Sequence, residues 1–74
     1  MLTKVKYILL ENPNDKFGKV IKEEEIDASI NYENEIPLDI IIEGRTYRVK
    51  RKEITRYVSY ETNEKIQKIY IRVI

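Results

Sequence analysis

Hydrophobic and polar residues alternate along most of this 74-residue chain. In Thr3–Leu10, Val5, Tyr7 and Leu9 fall on one face, with Lys4 and Lys6 on the other. That side-chain period of two predicts a β-strand. Asn12-Pro13-Asn14-Asp15 and Gly18 then supply turn-forming residues, and a second strand starts at Lys19–Lys22. From Ile26 the even positions carry Ile26, Ala28, Ile30, Tyr32, Ile36, Leu38, Ile40 and Ile42, interrupted only by Asn34. The odd positions are mainly Asp, Ser, Asn and Glu. This pattern predicts two strands broken near 33–35, and Glu23–Glu25 leave room for one short helical turn near 20–26.

Glu43-Gly44 sits between two alternating runs and predicts a tight hairpin. With those two residues as the loop, Ile42 faces Arg45, Ile40 faces Tyr47 and Leu38 faces Val49. On the opposite face Ile41 meets Thr46, Asp39 meets Arg48 and Glu35 meets Lys52. One face of the hairpin is apolar and the other is charge-matched. Beyond Val49 the apolar phase moves from odd to even positions, at Ile54, Val58 and Tyr60. A period of two changes phase only through a bulge, bend or break, predicted here within 51–53. After a turn at 61–64, the last strand runs Lys65–Val73, with Ile69, Ile71 and Val73 on one face.

The expected fold is all-β: a small antiparallel meander of five or six strands, forming a strongly bent sheet or a partly closed SH3-like or OB-like barrel. Residues 1–74 make a single small domain. A domain of this length buries only about 60% of the surface its unfolded chain exposes, so the core is thin. With no Cys and no His, neither a disulfide nor a structural zinc site is available to reinforce it. The thirteen Ile and six Tyr argue for a folded chain despite 36% charged residues. The apolar terminal strand, taken as an edge, would need cover from a partner, so a homo-oligomer and a monomer are equally open.

Composition narrows function mainly by exclusion. Without His or Cys there is no Ser-His-Asp or Cys-His nucleophile and no ordinary zinc or iron site. Two glycines cannot build a phosphate-cradling loop. The expectation is a non-enzymatic protein with no cofactor and no metal. The longest apolar runs are three residues, far short of the roughly 20 of a spanning helix, so no membrane partner is expected and the location is cytoplasmic. Abundant Ile, Lys, Glu, Asn and Tyr match AT-rich coding, which points to a phage, virus or mobile element acting in the cytoplasm of its host.

The net charge of +1 conceals sorted charges. Residues 1–22 sum to +3, residues 23–44 to −8 without any Lys or Arg, and residues 45–74 to +6. The basic block offers Arg48, Lys50, Arg51, Lys52, Arg56, Tyr57 and Tyr60 as a binding face. Cations neutralise phosphates and flat rings stack on bases, as single-stranded nucleic acid requires. Glu23, Glu24, Glu25 and Asp27 form a candidate acidic interaction surface. The first reading is a binding protein acting through protein–protein contact, an inhibitor or regulator of a host system. Alternatives are a small-barrel nucleic-acid-binding protein using the strand 45–60, a structural subunit, and a ligand binder with its pocket at a subunit interface.

Overall fold

The computed structural model describes residues 1–12 and 14–74, so the Pro13 position of the expected turn lies outside the described residues. Among the described residues the elements are β1 (Leu2–Leu9), β2 (Lys19–Asp27), a 3-10 turn (Tyr32–Glu35), β3 (Asp39–Ile42), β4 (Arg45–Val58) and β5 (Lys65–Val73). The strands lie in the order β2-β1-β5-β4-β3, in a single sheet that curls until it nearly closes into a barrel. The all-β, strongly bent architecture is as expected. The meander holds only in part. The β1–β2 hairpin and the β3–β4–β5 run are antiparallel, but β1 and β5 pair in parallel and join them.

This mixed pairing explains the apolar last strand. β5 is the centre of the sheet rather than an edge, and Ile69, Ile71 and Val73 are fully buried. The cover that an apolar edge strand would require is supplied by β1 and β4. The core joins these residues to Val5, Tyr7, Ile36, Ile40 and Ile42. The free edges belong to β2 and β3.

The helical turn expected near 20–26 is replaced by strand β2. Cross-strand register explains the preference: Glu23 lies opposite Lys6 and Glu25 opposite Lys4, while Ile21 and Ile26 pack against the core. The 3-10 turn falls instead at Tyr32–Glu35, within the connection from β2 to β3. The second strand of the even-position run is correspondingly short, starting at Asp39 rather than Ile36. The hairpin register is the expected one over Asp39↔Arg48, Ile40↔Tyr47, Ile41↔Thr46 and Ile42↔Arg45. Its loop has positive φ at both Glu43 (51°) and Gly44 (78°), the twist that suits a two-residue hairpin loop.

The phase change on β4 is a bulge at Lys50, one residue before the expected segment: Val49 pairs with Val73 and Arg51 with Arg72, leaving Lys50 extra. After it, Lys52, Ile54 and Arg56 share the inner face, opposite Ile71, Ile69 and Gln67. The expected contact of Glu35 with Lys52 is therefore absent. Lys52 Nζ donates instead to the backbone carbonyls of Glu33 (2.7 Å) and Ile36 (3.1 Å). Arg56 donates to the Ile30 carbonyl (2.6 Å) and to Gln67 Oε1 (2.9 Å). The fully buried Gln67 amide in turn donates to Thr3 Oγ1 and the Ser29 carbonyl. Two cations and one amide thus strap the 28–36 connection to the inner face of the sheet and satisfy carbonyls that no strand partner serves.

Candidate interaction surfaces

The basic block does not form one patch. β4 is 14 residues long, and its cations are divided between its two faces and the two sides of the bulge. Arg48 Nε lies 3.2 Å from Asp39 on the outer face of the hairpin. Lys50 is exposed at the bulge. Arg51 approaches Glu53 at 3.6 Å. Lys52 and Arg56 hold the connection from the inner side, Arg56 also meeting Glu33 at 3.3 Å. Tyr57 and Tyr60 stand at the far end, Tyr60 wholly exposed. Lys68 Nζ lies 5.5 Å from the centre of the Tyr57 ring.

The acidic residues are likewise divided. Lys6 and Glu23 form an exposed pair at 3.6 Å, and Glu25 sits opposite Lys4 in register. Asp27 accepts from the N-terminal ammonium at 2.8 Å, which holds its carboxyl below the ordinary range. Glu24 turns inward and accepts from the Tyr7 hydroxyl at 3.3 Å. Burial, reinforced by the Glu24 charge, pushes the Tyr7 phenol up to about 12. Tyr32 is raised for the same reasons, burial first and then the charges of Glu24 and Glu35. Glu23, Glu25 and Asp27 share the outward face of β2, and each has a cation near it: Lys6, Lys4 and the N-terminal ammonium.

A surface that sequence reasoning largely missed lies at the β4–β5 turn. Tyr57, Val58, Tyr60 and Ile30 are all substantially exposed. One apolar hollow is lined by Met1, Ile30, Tyr57, Val58 and Ile66, with Arg56 and Lys65 at its rim. A second lies in the turn itself and shares Tyr57 and Val58 with the first. The turn is shaped by bonds from Ser59 N to Glu64 O and from Asn63 N to Ser59 O, both 2.9 Å, with Asn63 at a φ of 57°. The signal was present in the adjacent Tyr57-Val58 pair. Two apolar neighbours on a strand point to opposite faces, so one of them must leave the core side. Ile30 gave no such signal, because its alternation looked like that of a strand.

The two free edges are unlike. β2 carries Lys19, Lys22, Glu23, Glu25 and Asp27 together with a register shift near Ile8, features that discourage strand addition. β3 is four residues long and reads Asp-Ile-Ile-Ile, with Ile41 exposed. Among the described residues no three carboxylates converge as a cation site, and no helix is long and apolar enough to cross a membrane. Compared with known family models, curated proteins and solved structures, the chain shows no match.

Proposed function

We propose that the protein is a non-catalytic interaction module that docks a protein partner on the apolar end of its barrel. The observation that carries this reading is the contiguous exposure of Tyr57, Val58, Tyr60 and Ile30 around two adjoining hollows. Exposed large apolar groups that share one patch, with polar residues at the rim, are the usual mark of a protein contact. Most of the cations that would otherwise define a charged surface are engaged within the molecule. The AT-rich composition supports a phage or mobile-element origin, with the partner a component of a host system in the host cytoplasm. Inhibition or regulation of that component is the role proposed.

The test is affinity capture from the host, followed by binding of the purified partner to variants. Val58→Asp and Tyr60→Ser should each weaken binding by about tenfold or more, since central aromatic and apolar anchors carry most interface energy. Both residues are exposed, so the fold should survive, as circular dichroism would report. A partner that binds both variants as tightly as the parent would refute the assignment of this surface.

A second reading, single-stranded nucleic acid, is favoured by one arrangement: Lys68 lies over Tyr57 beside the free Tyr60. Rings and lysines so placed could stack on bases and meet phosphates. Oligonucleotide binding would then fall steeply with salt and be lost in Lys68→Glu. Flat titrations at low salt would eliminate it.

A further inference from the structure

The bulge at Lys50 has a second effect, on the outer face of the sheet. By skipping one residue it sets Arg51 directly opposite Arg72. Like charges directly opposite on neighbouring strands repel, and here one carboxylate serves both. Glu53 Oε1 lies 2.7 Å from Arg72 Nη1 and 3.6 Å from Arg51 Nε. Arg72 sits in register between Arg51 on β4 and Ile8 on β1, and its side chain is only 12% exposed. Among the described residues its Nε has no acceptor, and its Nη1, although close to Glu53, is not aligned for a hydrogen bond. Buried donors of this kind are rare in folded proteins because desolvation is not repaid by a partner. Lys50, exposed at the bulge and next to Arg51 in the chain, adds a third cation against the single carboxylate.

We propose that Arg51 and Arg72, with Lys50 beside them, bind an oxyanion of the phosphate class, either free phosphate or the terminal group of a phosphomonoester. The stoichiometry of donors decides the class. One carboxylate has two oxygens and one charge, and in this geometry it leaves the Nε of Arg72 without a partner. A tetrahedral dianion offers more oxygens and twice the charge, and a guanidinium presents its donors as a fork that matches such a group. Glu53 is then an internal competitor, holding the two arginines until the oxyanion displaces it. The half-exposed Arg51 is the side of the site open to solvent.

The experiment titrates the intact protein with inorganic phosphate, against sodium chloride at matched ionic strength. It follows the arginine Nε–H signals by NMR together with the thermal midpoint. Saturable shifts confined to Arg51, Arg72 and the Lys50 amide, absent with chloride, are expected. Arg51→Gln should weaken phosphate by about tenfold, and Glu53→Gln, which removes the competitor, should tighten it by about tenfold. Arg51 is half-exposed, so its variant does not depend on refolding the core. A parallel titration with phenyl phosphate separates the sources: equal affinity assigns free phosphate, and tighter binding assigns a monoester. Shifts that fail to saturate, or that match those of chloride in both the parent and Glu53→Gln, would overturn the proposal.

Discussion

Before the bulge at Lys50, β4 sends Tyr47 and Val49 toward the core and Arg48 outward. After it, Lys52, Ile54 and Arg56 turn inward, and Arg51, Glu53 and Tyr57 turn outward. The two halves of the strand carry the same residue types, yet their cations have different work. Arg48 makes an exposed ion pair with Asp39. Lys52 and Arg56 donate to the backbone of the 28–36 connection and hold it against the inner face of the sheet. The comparison teaches that side-chain parity, more than the charge itself, decides whether a lysine or arginine on this strand is surface or scaffold.

The severest way to break that contrast is to place a charge on the wrong parity. Ile54 turns inward opposite Ile69 and packs against the core, while its neighbour Thr55 is exposed on the outer face. Ile54→Asp should destabilise by about 3–4 kcal/mol, because an unpaired charge replaces an apolar side chain at the core, whereas Thr55→Asp should stay within about 0.5 kcal/mol. Urea midpoints read both. Deleting Lys50, by contrast, leaves Tyr47, Val49, Lys52, Ile54 and Arg56 in a single phase and should preserve the inner face. Equal losses from the two aspartates would show that the second half does not depend on its phase.

A milder intervention acts on the second half alone. Lys52→Met keeps the apolar stem and removes the ammonium, leaving the carbonyls of Glu33 and Ile36 without their donor. The expected destabilisation is about 1–2 kcal/mol, the typical consequence of an unmade hydrogen bond at a partly buried site. Arg56→Met should behave alike and also free the amide of Gln67. Hydrogen exchange should quicken first in residues 28–36, the strapped segment. An unchanged urea midpoint with unchanged exchange would mean that water serves those carbonyls equally well.

These inward cations also mark where the chain could and could not be read in advance. The strands, the Glu43-Gly44 hairpin and its register were legible because the period of two is local and the loop length fixes the pairing. The phase change was legible as well, to within a residue of Lys50. The parallel β1–β5 pairing was not. Nothing local in Leu2–Leu9 or Lys65–Val73 specifies which strands, 64 residues apart, will meet, and Ile69–Val73 reads alike as a central strand or a sticky edge. The fate of the basic block was missed for a related reason. Lys52 and Arg56 find their acceptors on backbone carbonyls, which every residue possesses and which therefore leave no trace in a sequence. Of the candidate residues at the far end, Tyr57 and Tyr60 were picked as partners of the basic block, whereas the structure places them beside Val58 and Ile30, around apolar hollows.

The smallest expected effect sharpens the comparison from the other side. Arg48 and Asp39 face each other in register, 3.2 Å apart, and both side chains are more than half exposed. Water and salt screen such a pair, and ordering two long side chains offsets much of the attraction. Arg48→Ala should therefore change stability by no more than about 0.5 kcal/mol. A double-mutant cycle with Asp39→Ala should give a coupling energy of that size or less, shrinking as salt is raised. Lys52→Met, measured in the same buffers, should keep most of its effect at high salt, because its acceptors are uncharged and partly enclosed. If the Arg48–Asp39 coupling instead matched the loss from Lys52→Met and resisted salt, both halves of β4 would be scaffold, and parity would no longer separate them.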